Sequence, residues 1–350
     1  MKILELFGGI GACSKALEKL GIEHEIIDYV EIDKYAVKSF NAIHGTNFEP
    51  QDICEWGKNI DVDLIMHGSP CQDFSISGKQ AGGEEGSGTR SSLMYETLRI
   101  VEKLKPKYVI WENVKNLLSP KHIHNFNAYL EKMRGGGYNN YYKVLNAKDY
   151  GIPQNRERIF TISIRKDIDK GFSFPIKQEL KLKLKDLLEK EVDEKYYLSA
   201  KAIMGRLTTN YQKYKLENNI INGKDIHPTI LARYEGAPTL YVNNATKLGF
   251  QEAHEGDSIN LSYPNSMTRR GRVGKQVCQT LQCNDSMGVV TDLKIRRLTP
   301  KECWRLMGFD DEDFEKASKV NSNTQLYKQA GNSIVVNVLM CIFKELLKDS

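Results

Sequence analysis

Ile3-Leu4-Glu5-Leu6-Phe7, running into Gly8-Gly9-Ile10-Gly11, is the stretch whose reading decides the fold. Four apolar residues around one acid read as a short buried strand, and the glycines mark a tight turn. A helix follows, because Ala12, Ala16, Leu17 and Leu20 recur on one face and Gly21 closes the segment as a helix-terminating glycine does. Outward from this unit the alternation repeats. Glu25 to Val30, Val62 to His67, Tyr108 to Trp111, Tyr141 to Asn146 and Ile159 to Ile164 read as further strands. Met94, Leu98 and Val101 share a helical face that ends before Pro106, and Phe126, Leu130 and Met133 share another before Gly135-Gly136-Gly137. Such alternation predicts an α/β fold: a Rossmann-like mixed, mostly parallel sheet with helices on both faces and its ligand at the carboxyl ends of the strands.

At roughly 150 residues per domain, 350 residues make about two domains. The pattern changes after about Gly171, and we divide the chain into 1–175, a less regular 176–310 that opens with a lysine-rich amphipathic run, and a segment 311–350 that returns to the first domain. Charged residues at 27% and hydrophobic ones at 40% exclude a disordered chain or a coiled coil. The longest apolar stretch, Ile334 to Phe343, contains Asn337 and falls short of the about 20 residues of a membrane helix. The amino end shows one lysine, then Glu5, and no small-residue cleavage site, so the expected location is cytoplasmic.

Seven cysteines lie scattered without paired C-x-x-C spacing, which predicts free thiols and no metal. Cys13 reads as packing, and Cys278 and Cys283 as core or reduced thiols. His122-x-His124 lacks companion ligands and reads as a helix start facing water. The net charge of +5 is small, yet it is concentrated between Asn265 and Arg297: Arg269, Arg270, Arg272, Lys275, Lys294, Arg296 and Arg297 stand there against Asp285 and Asp292. A solvated surface and a polyanion-binding face both account for such a cluster.

Chemistry concentrates where strands end. The glycine turn suits either a bare tight turn or a backbone that approaches a ligand. Glu31, about 20 residues beyond it, lies where such folds use an acid to accept from ribose hydroxyls, although a strand-end carboxylate without a ligand explains it as well. After the third strand comes Gly68-Ser69-Pro70-Cys71-Gln72, with Gly78 to Ser92 having the composition of a lid. Trp111-Glu112-Asn113-Val114 ends the next strand with an acid. A thiolate from Cys71 adding to carbon 6 of a heterocycle, with Glu112 hydrogen-bonding or protonating ring nitrogen 3, makes carbon 5 nucleophilic toward an electrophilic methyl group. An ordinary thiol is only a few per cent ionised near pH 7, so Arg156 and Arg158 are the candidate positive neighbours.

In this order the motifs resemble those of the cytosine carbon-5 DNA methyltransferases of the bacterial and phage modification type, across nearly the whole chain. The resemblance implies S-adenosylmethionine as cofactor, held by Phe7, Gly9, Gly11, Glu31, Asp52, Ile53, Pro70, Leu93, Asn332 and Ser333. It implies Cys71, Glu112, Arg156 and Arg158 as catalytic residues. Arg297-Leu298-Thr299-Pro300-Lys301-Glu302 and Gln329-Ala330-Gly331-Asn332-Ser333 resemble the two closing motifs. Residues 1–175 then hold catalysis and cofactor, and 176–310 a target-recognition domain and hinge. DNA contacts would come from Gln72, Ser77, Arg269, Arg270, Arg272, Lys275 and Thr280, the last within a Thr-Leu pair. Because carbon 6 is hidden in stacked DNA, the target cytosine must flip out, with Phe74 to Ser92 closing on it. The implied partner is duplex DNA, read by a monomer, with any cognate restriction endonuclease acting on the same sequence without direct contact. A DNA-binding regulator without turnover and an RNA cytosine methyltransferase are the competing readings; intact Cys71, Glu112, Arg156 and Arg158 oppose the first, and the basic second domain opposes the other.

Overall fold

The computed structural model describes residues 1–70, 90–199, 240–263, 266, 268, 271–292 and 294–348. The opening run forms β1 (Lys2–Leu6), which the chain leaves through a turn with Phe7, Gly9 and Gly11 in left-handed conformations at φ 53°, 56° and 79°. Glycine is required at the last of these, because a Cβ on Gly11 would sit 2.1 Å from His44 Nε2. α1 (Ala12–Lys19) follows at once.

Flanking β1 are β2 (Glu25–Val30) and β3 (Leu64–His67), and β4 (Tyr108–Val114) pairs with β3, all in parallel. Beyond β4 lie β7 (Glu157–Arg165) and then β5 (Tyr138–Asn146), giving the order β2-β1-β3-β4-β7-β5. These last two pairings are antiparallel. The sheet is therefore mixed, as expected, and the reversal has a simple cause: only a short connection without a crossover helix separates β5 from β7, and antiparallel neighbours need no more.

α2 (Lys34–His44), α3 (Met94–Leu104) and α4 (Ile123–Gly135) complete the first half. Alternation along the strands splits the core in two. Ile3, Leu64, Met66, Ile110 and Ile162 join Ala16 and Leu17 of α1 on one face. Leu4, Leu6, Ile65, Val109 and Trp111 join Leu98, Val101, Phe126 and Tyr129 of α3 and α4 on the other. At the carboxyl end come α5 (Pro300–Arg305), α6 (Asp311–Ser318), α7 (Asn323–Asn332) and α8 (Val336–Leu346). α8 lays Val336, Leu339, Ile342, Phe343 and Leu346 into the α1 face, at about 1.5–3 kcal/mol for each large apolar side chain buried.

Residues 176–199 contain no α-helix, only single 3-10 turns at Leu184–Leu187 and Glu194–Tyr196, so the lysine-rich run is a strap. Beyond it, β8 (Leu240–Asn243) and β9 (Phe250–Ala253) form a hairpin. β10 (Ser258–Asn260), β11 (Val273–Gly274), β13 (Met287–Thr291) and β14 (Lys294–Arg297) form an antiparallel sheet in the order β11-β10-β13-β14. A small core of Leu240, Val242, Ala253, Ile259, Leu261, Val290 and Ile295 supports both. β12 (Cys278–Gln279) pairs with β6 (Gln154–Asn155), tying this region to the first.

His122 corrects an expectation: it stands at the N-cap of α4, but only 1% of it is exposed, while His124 faces outward. Residues two apart at a helix start point in different directions, so water-facing holds for one alone. Among the described residues no group of His, Cys, Asp and Glu could hold a metal, and no helix is long and apolar enough to cross a membrane.

Candidate active site

Leu6, His67 and Trp111 lie side by side in the register of β1, β3 and β4, which brings the loops after those strands together. Because side chains alternate, Glu112 follows Ile110 onto the α1 face while Trp111 and Asn113 take the opposite one. Glu112 thereby enters a narrow cleft lined by Glu5, Phe7, Gly9, Gly68, Asn332 and Ser333, among others. The Gly68 loop runs directly beside it, a Cβ on Gly68 standing in ordinary contact 3.8 Å from Glu112 Oε2. The antiparallel β4–β7 pairing sets Arg158 opposite Val114, within reach of Glu112, and its Nε lies 3.0 Å from Glu112 Oε1. Burial pushes the Glu112 carboxyl above its ordinary range, and Arg158, then Arg156, pull it back. A buried carboxyl held above its ordinary range is suited to hydrogen-bonding or protonating a basic ring nitrogen.

Arg156 is buried and donates to three backbone carbonyls: Ser333 at 2.8 Å, Gly331 at 3.0 Å and Leu281 at 3.4 Å. One guanidinium thus gathers the end of α7 and the Thr280-Leu281 segment beside β7. Gln154 donates to the Leu306 carbonyl at 2.8 Å, and Thr280 Oγ1 donates to the Asn155 carbonyl at 2.8 Å. Cys283 Sγ donates to Asn332 Oδ1 at 2.9 Å, at the cleft wall.

At the other end Glu31 holds the glycine turn. Its carboxylate accepts from the Gly9 amide at 3.2 Å and the Asp33 amide at 2.9 Å. Tyr29 donates its hydroxyl to the Gly9 carbonyl at 2.6 Å. Gln51 donates its backbone N–H to the Glu31 carbonyl at 2.9 Å, which sets Asp52 and Ile53 alongside. Asp52 Oδ1 accepts from the Cys54 amide, whereas Ile53 is buried with Leu93 packed against the same cluster. Pro70 is partly buried.

Cys71, Gln72, Ser77, Arg269 and Arg270 lie outside the described residues, as does most of the segment read as a lid. Of the basic window, Arg272 is exposed. Lys275 pairs with Asp257 at 3.0 Å, and Arg297 with Asp285 at 3.2 Å. Arg296 corrects the surface reading: it is buried and grips Glu302 through two bonds of 2.7 and 2.8 Å.

Three residues of the site escaped the sequence reading. Glu5 lines the cleft, where burial pushes its carboxyl up to about 7; a lone acid inside an apolar strand was the available signal. Ile32, next to Glu31 in the chain, is 67% exposed, an apolar side chain left facing solvent. Ser69 is buried and bonded to β4, which no local pattern announces.

Fold and cleft define an α/β protein built to take a ligand over the carboxyl ends of its strands. The family model for C-5 cytosine-specific DNA methylase matches residues 1–348. Type II methyltransferase M2.ScrFI of Lactococcus lactis subsp. cremoris is 34% identical, with 99% of each chain covered. Orphan methyltransferase M.SPRI of Bacillus phage SPR is 33% identical over 99% of this chain and 97% of its own. Type II methyltransferase M.HhaI of Haemophilus parahaemolyticus is 34% identical over 98% and 93%. Among solved structures, the S. pombe Dnmt2 methyltransferase shares the fold at a TM-score of 0.64 and 20% identity, covering 99% of this chain and 98% of its own. The chain belongs to the C-5 cytosine-specific DNA methylases, enzymes that methylate cytosine in DNA.

Proposed function

We propose that this enzyme transfers a methyl group from S-adenosylmethionine to carbon 5 of a cytosine flipped out of a specific duplex sequence, through a transient bond between Cys71 and carbon 6. The observation that carries the reading is Glu112, an acid buried at a strand end, ion-paired to Arg158 and facing the same cleft as the glycine turn. The cleft suits the cofactor. Space over Gly9 is open, with nothing within 4 Å of where a Cβ would be, the Glu31 carboxylate accepts from the Gly9 amide, and Asn332 lines the cleft. Phe7, Gly9, Gly11, Glu31, Asp52, Ile53, Pro70, Leu93, Asn332 and Ser333 would hold S-adenosylmethionine, which supplies an electrophilic methyl group.

Cys71 as thiolate forms the carbon 6–sulfur bond while Glu112 hydrogen-bonds or protonates ring nitrogen 3, and carbon 5 gains the electron pair with which it takes the methyl. Loss of the carbon 5 proton and expulsion of the sulfur restore the ring double bond. Arg158 holds Glu112 in place. Arg156 adds positive charge and fixes Ser333. Extrusion of the base costs a few kcal/mol of stacking, offset by phosphate contacts from Arg272, Lys275 and their neighbours Arg269 and Arg270, with Gln72, Ser77 and Thr280 near the target. The protein acts as a monomer, and a cognate endonuclease, where one exists, shares its sequence and not its surface.

The test is incubation with a labelled methyl donor and either duplex DNA or tRNA, with bisulfite sequencing of DNA from expressing cells to give the target. Transfer to duplex alone is expected. Cys71→Ser should abolish transfer and spare DNA binding; undiminished turnover in that variant removes the nucleophile assignment.

A further inference from the structure

Glu112 and the loop carrying Gly68 to Pro70 are referenced to one strand from its two faces. While Glu112 enters the cleft, its neighbours Trp111 and Asn113 reach the loop from the opposite side. Trp111 Nε1 donates to Ser69 Oγ at 3.0 Å, and Asn113 Nδ2 donates to the Ser69 carbonyl at 3.2 Å. Ser69 is 3% exposed and Trp111 1%, so neither group exchanges its partner for water. The indole cannot swing away. Its ring lies parallel to His67 at 5.6 Å and 8°, and against Tyr129 at 4.1 Å, while Tyr129 in turn is bonded to His67 Nε2 at 3.0 Å. A donor locked by packing makes a fixed reference point.

We propose that Ser69 and Trp111 form a positioning pair, which sets the chain entering Cys71 at a fixed height and angle over β4 and so fixes the nucleophile's approach relative to Glu112. Neither side chain is among those lining the cleft, and both are buried. A buried indole N–H needs some acceptor in any case, so the competing account is that Ser69 merely satisfies Trp111.

A double-variant cycle separates the two accounts. In Ser69→Ala, Trp111→Phe and the combined variant, one measures kcat, KM for the methyl donor and for duplex, and the rate of covalent capture on duplex carrying 5-fluorocytosine. With a misplaced nucleophile, kcat and capture rate fall together by about 10- to 100-fold while both KM values hold. The combined variant stays as slow as the single ones, because the bond between Trp111 and the Ser69 hydroxyl is missing in all three. If the bond only satisfies a buried donor, the combined variant leaves no orphaned group and recovers its rate, and the proposal is overturned. Should Trp111→Phe fail to fold, Ser69→Ala beside Ser69→Thr decides: loss in the first with recovery in the hydroxyl-bearing second supports positioning, and wild-type rates in Ser69→Ala refute it. The inference rests on the covalent role of Cys71. Wild-type protein that methylates without capture on the fluorinated duplex removes that role and the inference with it; capture by wild type and by the variants at one rate removes the inference alone.

Discussion

Glu5 offers the sharpest quantitative test, because its carboxyl is buried in the cleft floor and pushed up to about 7 from an ordinary 4.5. The cause is first burial, partly offset by bonds from the Ser14 hydroxyl and the Ser14 amide, the latter at 3.1 Å. A carboxyl raised in the fold binds its proton more tightly folded than unfolded. Below pH 4.5 both states are protonated and there is no penalty; stability is lost as pH climbs from about 4.5 to 7, and the loss then levels off. At about 1.4 kcal/mol per tenfold, ionisation of Glu5 costs the free enzyme about 3 kcal/mol. Glu5→Gln keeps an oxygen to accept from Ser14 and removes the titration. Urea unfolding of both proteins without cofactor, at a series of pH values, isolates this one group by difference. The variant should gain about 2–3 kcal/mol on the wild type between pH 5 and pH 8. A difference that stays flat across that range would show that Glu5 ionises as freely in the fold as out of it, and would refute the reasoning.

Two further outcomes follow from ion pairs at the site and beside it. Arg158→Ala removes the nearest charge that lowers Glu112, so the limb of the kcat/KM pH profile belonging to that carboxyl should move upward by about one pH unit or more, with reduced kcat; a limb that stays or moves down counters the pairing. Arg296→Met strands the buried Glu302 carboxylate and should cost about 3–5 kcal/mol of stability without altering the salt dependence of DNA binding, whereas Arg272→Ala should flatten that dependence by about 0.9 in log–log slope. The reverse pattern would return Arg296 to the DNA surface.

What the sequence disclosed was local. The strand, glycine turn and helix from Ile3 to Gly21 declare themselves through spacing alone, and each later motif sits at the end of an apolar run. The direction of β5 and β7 was not legible, because a period of two carries no orientation; the short stretch between them was the only sign. Arg296 counted as surface charge because composition does not reveal partners. Glu302, six residues on, is also the N3 residue of a capping box with Thr299 that opens α5, and its carboxylate serves cap and arginine together. Arg156 read as one of two equivalent arginines, yet its acceptors lie 125 to 177 residues away in the chain and could not be seen from its neighbours.

That asymmetry between the two arginines has a physical consequence. Arg158 meets Glu112 directly, whereas Arg156 acts on it through charge while its two terminal nitrogens donate to the Leu281, Gly331 and Ser333 carbonyls. Those carbonyls come from the segment bearing Thr280 and from the cleft wall bearing Asn332. The position of the guanidinium, and with it one of the influences holding down the Glu112 carboxyl, is therefore set by backbone from both regions. Moving either carbonyl group moves a charge in a buried setting, where screening by solvent is weak and the effect on a neighbouring acid correspondingly large. Glu112 is thus tuned by the same contacts that hold the Thr280-Leu281 segment and the Asn332 side of the cleft together.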